Sequence, residues 1–183
     1  MGPFTYADYA AMPDDGRRYE LIDGELIMTP APGTGHQWVV GELNELLRRH
    51  VGARRLGVVL ASPLDVILSK STTVQPDIVF LDRTRRGLMR KRGIVGSPAL
   101  LVEVISPTRP NFDRREKQKL YARHGVPHYW IVDPEERHLE GFVLGARRYA
   151  KAVEFSGDAF ATLAPFPNLA IPLATLWPPE LPD

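Results

Sequence analysis

Residues 99 to 105 read ALLVEVI, six apolar side chains around one carboxylate. A run this apolar reads as a strand covered on both faces, as in the centre of an α/β sheet. A helical stretch follows, Asp113 to Arg123, ended by Gly125, and then a second apolar strand, HYWIVD, at residues 128 to 133. Strand, helix, strand in this order implies a right-handed parallel crossover. No other feature constrains the fold as strongly. The same run poses a chemical question, because a buried Glu103 must be paired, hydrogen-bonded or bound to a metal. Ser106-Pro107 breaks the strand directly beside it.

The other segments supply neighbours for this unit. Thr5 caps a short helix over residues 6 to 12. YELIDGELIM, residues 19 to 28, places Asp-Gly between two alternating runs and predicts an N-terminal hairpin. Val39, Val40, Leu43, Leu46, Leu47 and Val51 recur at helical spacing and predict a helix over about residues 35 to 51. GVVLASPLDVIL, residues 57 to 68, reads as one or two strands bent at Pro63, and PDIVFL, residues 76 to 81, as another. HLEGFVL and the stretch from Tyr149 to Phe155 read as a late hairpin. The expectation is one α/β domain over residues 1–183. Its core spans about 19–155, with a mixed central β-sheet flanked by helices. A proline-rich tail, 164–183, is expected along the surface.

Composition narrows the chemistry. The chain has no cysteine, which removes disulfides, thiolate zinc sites and cysteine nucleophiles. Charged residues are 25% of the chain and its net charge is +1, so it reads as an ordinary globular protein. There is no apolar run near membrane-helix length and no secretory pattern at the N-terminus, so a cytoplasmic protein with no membrane partner is expected. The basic residues are unevenly spread: Arg83, Arg85, Arg86, Arg90, Lys91 and Arg92 fall in one ten-residue stretch without an acid. That stretch is either a solvated face or a phosphate-contacting patch.

Asp77 stands at the head of IVFL and Glu103 near the end of its strand. Either alone is commonly a structural ion pair. Two acids on two apolar strands point to a shared site, and paired carboxylates with retained waters suit Mg²⁺. On a helix at about 100° per residue, Asp113, Lys117, Leu120, Tyr121 and His124 share a face. Leu120 and Tyr121 should face the sheet, so Lys117 points inward and Lys119 outward. The alternative is that Lys117 only pairs with Asp113. Glu20 lies on the hairpin and is either an ordinary exposed residue or a further site acid. His36, at a helix start, is a cap or surface residue, or else a phosphate contact or general acid/base.

The combination YELIDGEL, PAPGTGHQ, QPDIVF, LLVEVISP and DRREKQKLYARHGVPHYWIVDP, in this order from about Tyr19 to Pro134, resembles the Uma family of bacterial restriction-endonuclease-like proteins in the PD-(D/E)xK nuclease superfamily. The resemblance implies a restriction-endonuclease-like core and Mg²⁺- or Mn²⁺-dependent hydrolysis of DNA. It implies catalytic roles for Asp77, Glu103, Lys117 and Glu20, with Asp77, Glu103, the Val104 carbonyl and Glu20 around the metal. His36, Tyr121 and the basic stretch from Arg83 to Arg92 are carried over as DNA contacts, and a homodimer is expected because duplex cleavage needs two cuts. One departure is plain. The superfamily lysine belongs two residues after the strand acid, where this chain has Ile105, and the resemblance implies that Lys117 replaces it. The rival readings are a non-catalytic nucleic-acid-binding or regulatory protein on the same scaffold, and a hydrolase of smaller phosphodiesters. A glycosidase-type carboxylate pair leaves the inward lysine and the basic stretch unexplained.

Overall fold

The turn at Asp23-Gly24 starts the architecture. Both residues have positive φ, 51° and 87°, the conformation a two-residue hairpin needs to match strand twist. It joins β1 (Arg18–Ile22) to β2 (Glu25–Thr29). The computed structural model describes residues 3–13, 15–106 and 112–180, without the side chains of Phe112 and Asp113. The segment from Pro107 to Asn111, the Asp113 carboxylate and residues 181–183 therefore lie outside the described residues, and with them the proposed Lys117–Asp113 pairing.

The strands divide into two mixed six-stranded sheets, where the sequence led us to expect one. The first contains the hairpin, β4 (Val66–Ser69), β5 (Thr72–Val74), β7 (Met89–Arg90) and β8 (Gly93–Val95), in the order β2-β1-β5-β4-β8-β7. The second contains β3 (Gly57–Ala61), β6 (Ile78–Asp82), β9 (Leu100–Val104), β10 (His128–Asp133), β11 (His138–Leu144) and β12 (Tyr149–Ser156), in the order β12-β11-β10-β9-β6-β3. The run GVVLASPLDVIL is split at Pro63 because its halves, β3 and β4, belong to different sheets. A small ribbon of β13 (Phe160–Ala161) and β14 (Ile171–Pro172) completes the strands.

The βαβ unit is present, with β9 and β10 parallel from Leu100↔His128 to Val104↔Val132. All five residues of β9 are buried, as its apolar sequence requires. The helices are α1 (Tyr6–Ala10), α2 (Thr34–Arg54) and α3 (Gln118–Arg123). Thr5 and Asp8 form a reciprocal capping box on α1. The helix expected from Asp113 begins differently, as a π-helical turn over Phe112–Lys117 that passes into α3. Such turns are rare and recur at functional sites.

Strand alternation sorts the second sheet into two faces. Ile78, Phe80, Leu100, Val102, Val104, Trp130 and Val132 face α2, packing on Val39, Val40, Leu43 and Leu47. Val79, Leu81, Leu101, Ile105, Tyr129 and Ile131 face the other way, towards α3 and the first sheet, with Leu120, Tyr121, Val66 and Ile94. Odd-numbered positions of β9 thus point at the layer that carries Lys117 and Glu20, and Glu103 is one of them.

The tail corrects the sequence reading. Phe166, Ile171, Leu173, Leu176 and Trp177 are buried in the α2-side core, and the Trp177 indole N–H donates to the Gly157 carbonyl at 2.7 Å. Prolines suggested a surface strap, but the apolar residues between them close the core. Trp177→Ala should cost about 3–5 kcal/mol of stability by urea unfolding.

Three histidines make stability pH-dependent. Burial first, and then Arg54, Arg123 and Arg85 respectively, hold His50, His124 and His128 below the ordinary value of 6.5. His124 Nε2 and His128 Nδ1 are buried without a hydrogen-bond partner. Below about pH 6.5 the unfolded chain therefore binds protons that the folded chain resists, and unfolding is favoured. The unfolding free energy should fall as pH drops below that value, and His124→Gln with His128→Gln should flatten the slope.

Candidate active site

The residue pairing between β6 and β9 creates the site. Ile78 lies opposite Val102 in this antiparallel pair, so the register carried one step further sets Asp77 against Glu103. The Glu103 side chain points to the face shared with α3, and the Asp77 carboxylate, one residue before β6, reaches across to β9. The Val104 backbone N–H donates to Asp77 Oδ2 at 2.8 Å, locking the carboxylate to the neighbouring strand. His36 Nε2, from the first turn of α2, lies 3.1 Å from the same oxygen.

Glu103 is bound from the helix side. Lys117 Nζ lies 3.0 Å from Glu103 Oε1 and 3.3 Å from Glu20 Oε1. The Tyr121 hydroxyl, one turn on, donates to the same Glu103 oxygen. Glu20 Oε1 also accepts from the Gln75 backbone N–H at 2.8 Å. All four charged residues are nearly enclosed: Glu20 and Glu103 are 3% exposed, Lys117 5% and Asp77 7%. In such surroundings each carboxylate needs its donors, and breaking a buried pair by removing one partner costs about 3–5 kcal/mol.

The turn bearing Lys117 is itself anchored. Arg114 donates through Nη2 to Asp133 Oδ2 at 2.7 Å and through Nη1 to Glu140 Oε2 at 2.5 Å. This fork ties the π-helical turn to β10 and β11. Asp133 Oδ1 in turn accepts from the backbone N–H groups of Glu135 and Glu136.

A cavity of about 70 Å³ opens among Arg18, Glu20, His36, Gln75, Asp77, Glu103, Val104, Ser106 and Lys117. By that measure a water needs roughly 10–15 Å³, so the space holds several. The cavity therefore gathers the four charged residues selected from the sequence, together with Val104 and His36.

The candidate DNA contacts lie in different surroundings from one another. Tyr121 has no exposed surface and spends its hydroxyl on Glu103, so it is not a direct DNA contact. Burial, and after it the charges of Glu103 and Glu20, push its phenol well above its ordinary value, so it stays a donor. His36 turns Nε2 to Asp77, and its Nδ1 is buried without a hydrogen-bond partner, so its imidazole is a neighbour of the acid on the cavity wall. The basic stretch begins six residues after Asp77, at the far end of β6, about 20 Å along the strand. None of Arg83, Arg85, Arg86, Arg90, Lys91 or Arg92 lines the cavity. Arg85 pairs with Asp82, and Arg90 donates to the carbonyls of Gly87 and Met89. Lys117 bridges the carboxylates of Glu20 and Glu103. Among the described residues, the group whose ligand atoms gather within 4.8 Å is instead His138, Glu140 and Glu154, where Lys151 already bridges the two acids.

Sequence reasoning missed Arg18, Gln75 and Arg114. Arg18 was recoverable, since it stands two residues before Glu20 on the same face of β1. The roles of Gln75 and Arg114 carry no such local signal.

A mixed α/β fold with acids converging from adjacent strands, and a lysine facing them from a helix, is nuclease-like. The chain matches the Uma2 family model, described as "Putative restriction endonuclease", over residues 6–174, and belongs to that family. A solved structure described as "a putative nuclease belonging to DUF820", from Anabaena variabilis, superposes with a TM-score of 0.78, covering 96% of this chain and 98% of that one. Its sequence identity is 19%, so the likeness speaks for the fold. The "Uncharacterized protein sll1609" of Synechocystis is 23% identical over 131 residues, 70% of this chain and 74% of that protein. Among the described residues no helix is long and apolar enough to cross a membrane.

Tyr121→Phe tests the buried cluster without opening a large cavity. Loss of a hydrogen bond to a charged group should cost about 1.5–3 kcal/mol by urea unfolding.

Proposed function

We propose that this protein is a metal-dependent endonuclease that hydrolyses DNA phosphodiester bonds. The observation that carries the reading is the placement of the Lys117 ammonium within 3.0 Å of Glu103 and 3.3 Å of Glu20, inside a cavity that also holds Asp77. A lysine arriving from the helix supplies the cation that Ile105 lacks.

The donor set fits a hard divalent cation. Three nearly buried carboxylates line a cavity with room for several waters, and the Lys117 ammonium pairs with two of them. Mg²⁺ or Mn²⁺ would be held by Asp77, Glu103 and the Val104 carbonyl, with Glu20 as a further ligand or an orienting group. When bound, such an ion lowers the pKa of a water and neutralises charge on the phosphoryl group.

The chain's own residues do the rest. Glu103 and Glu20 hold Lys117 in place, and its ammonium can then turn from neutralising carboxylates to stabilising charge that develops on the phosphate. Tyr121 and the Val104 N–H fix the orientations of Glu103 and Asp77, which limits reorganisation during the reaction. His36 closes the outer side of Asp77. The basic stretch can add phosphate contacts only away from the cavity, and such contacts carry no sequence information. We also infer a cytoplasmic homodimer, since two cuts in a duplex call for two sites. Analytical ultracentrifugation tests that inference.

Purified protein with Mn²⁺ should nick or degrade plasmid DNA, and Asp77→Asn should lose at least a hundredfold in rate while keeping a native circular dichroism spectrum; Lys117→Met should lose as much and also be destabilised by about 3–5 kcal/mol. DNA binding without cleavage in any divalent metal would instead favour a binding protein on this scaffold. Equal rates in wild type and Asp77→Asn would place the activity elsewhere.

A further inference from the structure

Among the described residues, Arg18 is the arginine on the cavity wall. It occupies the same face of β1 as Glu20, and the cross-strand partners of the two, Thr29 and Ile27, line the same cavity. Among the described residues its guanidinium is held by neutral groups: Nε donates to Gln75 Oε1 at 3.1 Å and Nη2 donates to Ser62 Oγ at 2.7 Å. Among the described residues no carboxylate oxygen comes within 4.0 Å of it. The contrast with the other cations of the site is direct. Lys117 is neutralised by Glu103 and Glu20, and Arg114 by Asp133 and Glu140.

The holders are themselves fixed. Gln75 Nε2 donates to Asp65 Oδ1 at 2.9 Å and to the Tyr9 hydroxyl at 3.2 Å, which sets the direction in which its carbonyl oxygen faces Arg18. Tyr9 donates to Asp65, and its phenol is pushed well above its ordinary value by burial and by that carboxylate, so it remains protonated. The result is a half-buried guanidinium, aimed by a hydrogen-bonded network and with no ion pair among the described residues. Planar, pre-aimed guanidinium groups suit the bidentate geometry of phosphate oxygens. Arg18 also lines a neighbouring depression of about 230 Å³ with Tyr19, Pro63 and Gln75, so it stands between that surface and the cavity.

We propose that Arg18 grips the substrate backbone: its guanidinium takes a non-bridging phosphate oxygen of the strand entering the cavity. The proposal rests on the nuclease reading for the identity of the strand. The basic stretch from Arg83 to Arg92 lies outside the cavity, which makes Arg18 the cation placed to fix the register of the strand at the reacting centre.

The test is binding of a fluorescein-labelled duplex DNA of about two helical turns, in EDTA, by anisotropy over a range of salt. Arg18→Ala should weaken binding about ten- to a hundredfold and reduce the slope of log K against log salt by about 0.9, the loss of one phosphate contact. Arg18→Lys should keep the slope, and Arg17→Ala, an exposed control, should match wild type. Wild-type affinity and slope in Arg18→Ala overturn the proposal, even where Mn²⁺-dependent cleavage upholds the nuclease reading. Where the wild type neither binds nor cuts DNA, that reading fails. Crystals soaked in tungstate then decide for Arg18: an anomalous peak on its guanidinium, lost in Arg18→Ala, upholds an oxyanion site, and its absence overturns it.

Discussion

The buried ammonium of Lys117 is the interaction on which the site and much of the packing depend. It joins three elements distant in sequence: the helical segment that carries it, β9 through Glu103, and β1 through Glu20. Without a cation there, two carboxylates would face each other in a nearly enclosed space, and like charges in low dielectric repel strongly. The first sheet and the second sheet are therefore coupled through a single charged group as well as through apolar contacts. Arg114, three residues earlier, holds the same turn onto β10 and β11, so the amine is positioned from both sides.

This arrangement explains how an apolar strand tolerates an acid. Glu103 receives Lys117 and the Tyr121 hydroxyl, and Asp77 receives the Val104 N–H and the nearby His36. Each donor comes from an element fixed by the core. The cost of removing the carboxylates from water is offset locally, and the same donors pre-orient them for chemistry. The cavity between them is small, with room for several waters, and on its wall stands Arg18, which has no ion pair among the described residues.

Much of this was legible. Asp-Gly with its flanking alternation identified the hairpin, helical spacing identified α2, and ALLVEVI followed by HYWIVD identified the parallel unit. Helical geometry selected Lys117 over Lys119, which is in fact exposed and paired with Glu116. The tail misled because proline frequency was read in place of the apolar residues between the prolines. The basic stretch lies away from the cavity, and charge in sequence alone could not have given that distance. Helical position also turned Tyr121 towards the sheet, where it is buried, and only its carry-over as a DNA contact from the resemblance does not suit that burial.

The amino-acid sequence by itself determined the elements, their order and the charged residues that had to find partners, because backbone periodicity and the cost of burying a carboxylate are local properties. Only the tertiary structure decided the division into two sheets and the alignment of Asp77 with Glu103. It also decided which oxygen Tyr121 would bind, and that Arg18 would be held by Gln75 and Ser62. Those outcomes depend on register and on which faces meet across long sequence separations. A one-residue shift in strand register would turn Glu103 to the other face of its sheet while leaving every local pattern intact.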